Sequence, residues 1–91
     1  MAEIHVQQTN GFLRAYKKLD SNQKDAVDRA VADIVQDPAL GETKKGDLSG
    51  VYVYKFDCVN QLFLLAYEYD PASRLLLLVG THENFYRNLK R

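Results

Sequence analysis

Apolar and polar residues recur along the first half of the chain with periods that predict one strand and two helices. Residues 3–7 alternate between polar and apolar side chains, as in a short strand with one wet face. Residues 11–19 carry apolar side chains at helical spacing. A second helix follows Asp20 and carries an apolar stripe to Gln36, before Pro38 stops it. Because the connection between the helices is so short, we expect an antiparallel pair.

The second half of the chain predicts three strands. Residues 51–56, 61–69 and 74–79 are rich in apolar and aromatic side chains, and short turn-like segments join them as antiparallel neighbours. Residues 38–50 read as the only long, irregular loop. With a short helix at the C-terminus, the order is β-α-α-β-β-β-α. We therefore predict an α+β fold, with a four-stranded antiparallel sheet, an N-terminal helical hairpin packed on one face and a short C-terminal helix.

Composition narrows the class of protein. The chain has 91 residues, which suits a single domain over residues 1–91. Its 12 basic and 12 acidic residues cancel, which counts against a nonspecific nucleic-acid binder. Cys58 is the only cysteine, so no internal disulfide or cysteine-based zinc site can form. The longest apolar run, residues 75–79, is too short for a membrane span, and residues 1–10 do not resemble a signal peptide. We expect a cytoplasmic protein without a cofactor or metal.

The most informative chemistry lies after the last strand, where His82, Tyr86 and Arg87 share a short predicted helix. An imidazole titrates near neutral pH, and a helix N-terminus attracts phosphate. Tyr86 follows His82 by one helical turn and could stack on a base, while Arg87 could bind phosphate as a fork. The alternative is that His82 only decorates the helix start beside Thr81.

Other positions leave similar alternatives open. Phe85 and Leu89 are predicted to belong to the core, whereas Lys90 either contacts phosphate or solvates the terminal helix. Lys55 and Glu68 interrupt neighbouring apolar strands, and the unknown register of their hairpin leaves open whether they pair.

Four segments of the chain together resemble a known family. They are residues 48–56 (LSGVYVYKF), residues 65–69 (LAYEY), residues 79–82 (VGTH) and the tail at residues 82–90 (HENFYRNLK). With the helical hairpin, they resemble the RelE/ParE superfamily of bacterial type II toxin-antitoxin toxins, in its RelE-like branch. The resemblance implies a toxin that a cognate antitoxin neutralises. RelE-like members cleave mRNA in the ribosomal A site, whereas ParE-like members poison DNA gyrase.

The resemblance also implies roles for individual residues. His82 occupies the position after the last strand where family nucleases often carry a catalytic His or Arg, with Tyr86 or Phe85 completing the site. Basic residues that contact RNA in the family correspond to Lys55, and to Lys44 and Lys45 in the loop.

The function implied is a metal-independent mRNA endonuclease that inhibits translation. In it His82 transfers protons, Arg87 and Lys55 bind phosphate, and Tyr86 stacks. Its partners are the antitoxin and mRNA on the ribosome, with operator DNA reached only through the antitoxin complex and no membrane. RelE-like chains usually carry an Arg in the middle strand, where Phe63 or Leu64 stands here. That difference favours one alternative, a non-catalytic gyrase inhibitor. The other is a degenerate toxin that only binds its antitoxin.

Overall fold

The computed structural model describes residues 3–43, 50–81 and 85, and within them two helices pack on one face of a five-stranded mixed sheet. The sheet order is β1-β5-β4-β3-β2, in which β1 runs parallel to β5 and the other neighbours are antiparallel. The elements are β1 His5–Gln8, α1 Asn10–Lys17, α2 Ser21–Gln36, a 3-10 helix Pro38–Leu40, β2 Glu42–Thr43, β3 Tyr52–Cys58, β4 Gln61–Asp70 and β5 Ser73–Thr81.

The predicted four-stranded antiparallel sheet is wrong in two respects. First, β1 pairs in parallel with β5, with His5 aligned to Ser73. The alternation of polar and apolar residues along a strand shows which of its faces contacts solvent. It does not show which strand lies beside it or in which direction that strand runs. Second, the segment predicted to be an irregular loop contains the 3-10 helix and β2, which adds a fifth strand beside β3. The α+β class and the helical hairpin on one face are confirmed, while the predicted terminal helix lies outside the described residues except for Phe85.

Side-chain caps define where the helices start. The Thr9 hydroxyl accepts a hydrogen bond from the Phe12 amide at 3.1 Å, and it donates to the Leu77 carbonyl of β5 at 2.8 Å. Asp20 and Gln23 form a reciprocal capping box at the start of α2. The first helix is shorter than predicted because the chain must leave it at Lys18 to place Asp20 in the extended conformation of a cap.

A two-residue turn fixes the register of β3 and β4. Val59 and Asn60 both adopt positive φ angles, 53° and 67°, which matches the twist of a tight hairpin. The turn aligns Cys58 with Gln61 and places Lys55 opposite Leu64.

Strand β4 is buried on both of its faces. Residues 63–67 are each at most 2% exposed, whereas exposed side chains return at the ends of the strand. On the helix face, β4 packs in a cluster with Phe12, Val27 and Ile34 from the hairpin. On the opposite face, hereafter the second face, a smaller cluster contains Val51, Val53, Leu64, Ala66 and Phe85. Strand β4 therefore needs apolar side chains packed against both of its faces.

Arg74 attaches the C-terminal end of α2 to the sheet. Its side chain is almost fully buried, with 4% of the residue exposed. The guanidinium donates to the carbonyls of Ile34 at 3.2 Å and Val35 at 2.9 Å in the last turn of α2. It also donates to the carbonyls of Asp70 and Ser73 at the hairpin turn, at 2.8 and 2.9 Å. A cation at a helix C-terminus satisfies unpaired carbonyls and complements the helix dipole, so this charge stabilises the fold although it is buried.

Tyr67 attaches the segment after α2 to the centre of the sheet. Its buried hydroxyl donates to the Pro38 carbonyl at 2.5 Å and accepts from the Gly41 amide at 2.9 Å. Burial raises the pKa of this phenol above its usual value of about 10, so its contribution to stability is complete below that pH and is lost as the pH rises through the folded-state pKa. A Cβ at position 41 would lie 2.6 Å from the hydroxyl oxygen, so this close approach requires glycine.

We predict that Tyr67→Phe and Gly41→Ala are each destabilising but not additive. The first leaves two buried backbone groups unsatisfied and costs about 1–3 kcal/mol, and the second creates a clash of similar cost. Removing the hydroxyl relieves part of that clash, so the double variant should lose at least about 0.5 kcal/mol less than the sum. Urea unfolding followed by circular dichroism measures all three variants. Gly80→Ala is the control, because a Cβ there meets no atom of the described residues within 4 Å, and its effect should add to that of Tyr67→Phe.

Candidate functional site

The end of the last strand, β5, lies beside the second face of the sheet. Gly80 and Thr81, at the end of β5, align with Leu64 and Phe63 on β4. Phe85 then packs on the second face against Val53 and its neighbours, with only 2% of the residue exposed. Phe85 is thus a buried residue of this face, as predicted when it was assigned to the core.

Lys55 is the predicted site residue that the structure describes. It lies on the second face and aligns with Leu64, which in turn aligns with Gly80 at the end of β5. Its ammonium lies 3.6 Å from a carboxylate oxygen of Glu42 on β2, and the two side chains are 48% and 64% exposed. Because both groups are in water, this ion pair is weak and a competing anion can exchange with the carboxylate.

The other predicted site residues fall outside the described part of the chain. They are His82, Tyr86, Arg87 and Lys90 in the tail, and Lys44 and Lys45 in the loop. Their roles and their proximity to Lys55 therefore stay predictions. The same holds for Leu89, predicted to belong to the core.

The register answers two questions that the sequence left open. Lys55 does not pair with Glu68, because Lys55 aligns with Leu64 whereas Glu68 lies further along β4, opposite Leu75 on β5. At the place where an Arg was expected in the middle strand, Phe63 faces the helices and Leu64 the second face, and both are buried. The face next to the strand end is consequently less basic than the resemblance implied.

Sequence reasoning missed two residues that shape this region. Glu42 stood in a segment read as irregular, and nothing in its spacing indicated that it would reach Lys55. Arg74 was read only as the start of an apolar strand, although a buried guanidinium now holds α2 in place. Neither role has a local signal, since both depend on contacts between residues distant in sequence.

Chemically, Lys55 offers a single exchangeable positive charge. A lysine ammonium binds a phosphate oxygen as a point charge and lacks the planar fork of arginine. The group predicted to transfer protons, His82, lies outside the described residues, so on this face the structure describes a phosphate-binding charge and its carboxylate partner.

Comparison with known proteins identifies the class. Residues 6–90 match a family model described as the ParE-like toxin of type II bacterial toxin-antitoxin systems. No curated protein matched the sequence. The chain therefore belongs to the ParE-like toxin family of type II toxin-antitoxin systems, as the resemblance to the RelE/ParE superfamily indicated.

Solved structures of toxins share the fold. The toxin-antitoxin complex RelBE2 from Mycobacterium tuberculosis superposes with a TM-score of 0.75 at 22% identity, covering 90% of this chain and 94% of the other. The YoeB dimer from Staphylococcus aureus gives 0.70 at 19% identity, with 89% and 99% covered. The intact RelBE complex of E. coli gives 0.68 at 16% identity, with 88% and 98% covered. At these identities the likeness establishes the fold alone. Among the residues that the structure describes, no helix is both long and apolar enough to cross a membrane.

Proposed function

We propose that this toxin is a metal-independent mRNA endonuclease that acts on the ribosome and is neutralised by a cognate antitoxin. The observation that carries the proposal is the family membership combined with a single imidazole, His82, directly after the end of β5. Several structural neighbours are toxins solved together with their antitoxins, which supports the antitoxin as partner.

The chemistry proposed for the tail is proton transfer at an RNA phosphodiester. Cleavage without a metal requires a base for the 2′-hydroxyl, an acid for the 5′-oxygen and stabilisation of the charge that develops on phosphorus. His82 would transfer the proton, Arg87 would bind the phosphate, and Tyr86 would stack on an unpaired base. The products would be a 2′,3′-cyclic phosphate and a 5′-hydroxyl.

Lys55 supports the same assignment from the sheet. It lies on the second face, in the row of aligned residues that ends at Gly80. Its side chain is about half exposed, so a phosphate can approach it, and its ammonium forms an ion pair with Glu42 in the structure without RNA. Lys44 and Lys45 remain proposed RNA contacts on the basis of the family pattern, and Lys90 on the basis of its charge in the predicted terminal helix.

A second candidate function is inhibition of DNA gyrase without catalysis. Two observations favour it: the matching family model is ParE-like, and a buried apolar residue, Phe63 or Leu64, stands where RelE-like chains usually carry an Arg. A gyrase inhibitor needs no proton-transfer group, so His82 would then be dispensable. A degenerate toxin that binds only its antitoxin is the third alternative.

We predict that inducing the chain in cells produces new mRNA 5′ ends that disappear with His82→Ala. Loss of the imidazole removes a proton-transfer step typically worth about 10²–10⁴-fold in rate. Sequencing of mRNA 5′ ends after induction measures the effect. His5→Ala is the matched control because His5 lies on the exposed strand β1 and aligns with Ser73 at the start of β5, whereas His82 follows the other end of that strand.

Other outcomes identify the alternatives. Growth arrest with unchanged transcripts and with DNA breaks would contradict the nuclease and support gyrase as the target. Normal growth would indicate a degenerate toxin. New 5′ ends that persist in His82→Ala would keep the nuclease but remove His82 from its mechanism.

A second prediction concerns the charge balance on the second face. Glu42→Gln should free Lys55 and strengthen binding to a short single-stranded RNA, whereas Lys55→Gln should weaken it. One phosphate contact changes the slope of log affinity against log salt by about 0.7 for single strands. Fluorescence anisotropy over a range of salt concentrations measures these slopes. If Glu42→Gln still strengthens binding when Lys55 is already Gln, the effect does not act through Lys55.

A further inference from the structure

An open groove runs between the outer side of α2 and the end of β3, on the helix face of the sheet. Its volume is about 460 Å³. Residues from Asn22 to Asp33 of α2 line one wall, which at 1.5 Å per residue spans roughly 16 Å. Phe56 and Val59, at the β3–β4 hairpin, line the other. A groove of this length suits about three helical turns of a peptide better than a compact small molecule.

Without a binding partner, Val59 is unfavourable at this position for two reasons. It is 51% exposed, and it adopts a φ of 53° in the tight turn. A β-branched residue is strained in that left-handed conformation, where Asn or Gly fits easily. A partner that covers Val59 would turn this exposed apolar side chain into a contact, and Phe56 beside it adds partly buried aromatic surface.

The charge of the groove excludes nucleic acid and favours a basic partner. Asp25, Arg29 and Asp33 recur every fourth residue along α2 and therefore lie on one side of the helix. Asp57 lines the hairpin end, so the lining holds three aspartates against one arginine. Within the described part of the chain, no basic side chain forms an ion pair with any of these aspartates.

A hydrogen bond from an uncharged side chain contacts one of the aspartates in the α2 wall of the groove. The Tyr54 hydroxyl donates to an Asp33 carboxylate oxygen at 3.2 Å. Burial raises the pKa of Tyr54, and the nearby Asp33 charge adds to that shift, so the phenol stays protonated and leaves the charge of Asp33 intact.

We infer that this groove binds an amphipathic segment of the cognate antitoxin, one that places an aliphatic side chain against Val59 and Lys or Arg side chains against Asp25 and Asp33. The inference rests on the antitoxin partnership in the proposed function. It adds which surface of this toxin the antitoxin uses and which charge its segment carries. The groove lies on the opposite side of the sheet from Lys55, so antitoxin binding there does not require competition for the phosphate-binding face.

The test titrates the purified chain with its full-length cognate antitoxin by isothermal calorimetry. Asp25→Lys places like charges together and should weaken binding at least about tenfold, with a shallower salt dependence. Val59→Asn should also weaken binding about tenfold, yet leave the melting temperature unchanged or higher, because Asn suits the turn. Loss of binding in a more stable variant cannot be explained by misfolding.

Matched controls lie outside the groove. Glu68→Lys makes the same charge change at an exposed position opposite Leu75, and Leu62→Asn removes similar apolar surface from a residue that is 46% exposed. Both should bind the antitoxin within about twofold of wild type. If these two control variants lose as much antitoxin affinity as the groove variants do, the inference is overturned.

Each remaining outcome has a definite meaning. If wild type binds the antitoxin and both groove variants bind equally well, the groove inference fails while the toxin-antitoxin pairing stands. If wild type binds no antitoxin, the pairing itself fails, and the inference with it. If light scattering shows a dimer of the free chain that Asp25→Lys dissociates, the occupant is a second copy and the inference is overturned.

Discussion

The structure depends on the burial of β4 from both sides. In a domain of 91 residues the core is small, and fully burying one Leu or Phe side chain contributes about 1.5–3 kcal/mol. Residues 63–67 form an uninterrupted buried run, so neither face of the strand can be left in water. The helical hairpin covers one face through Phe12, Val27 and Ile34, and Phe85 contributes to covering the other. The requirement for a second cover links the stability of the fold to the terminal segment that carries the proposed chemistry.

This arrangement gives the two faces of the sheet different roles. The helix face carries a groove whose lining holds three aspartates against one arginine, which suits a protein partner with basic side chains. The second face carries Lys55 beside the end of β5, which suits a phosphate. The chain as a whole has no net charge, but the groove lining has an excess of two negative charges, whereas Lys55 on the second face is balanced by Glu42. In the proposed function, the antitoxin would bind on one side of the sheet and the RNA phosphate on the other.

Local signals predicted much of the fold, and long-range contacts account for what they missed. The capping residue Asp20 and the stop at Pro38 bounded α2 correctly, because caps and proline act within one turn of the chain. The burial of Phe85 also followed from its spacing. In contrast, the parallel pairing of β1 with β5 joins residues far apart in sequence, and it has no local signature. The same reason explains the missed Arg74, whose partners on α2 lie about 40 positions away. For the site, the sequence nominated Lys55 but did not indicate its ion pair with Glu42. The proposed role of His82 rests on its chemistry and on family resemblance, and that of Arg87 on its chemistry alone.

The most direct test of this account is the free energy of unfolding of Phe85→Ala, measured by urea denaturation beside Phe12→Ala from the helix face. If Phe85 is an essential cover of β4, its truncation should cost about 3–5 kcal/mol, comparable to the loss at Phe12. A cost below about 1 kcal/mol, with Phe12→Ala still strongly destabilising, would contradict the claim that the second face of β4 depends on the terminal segment.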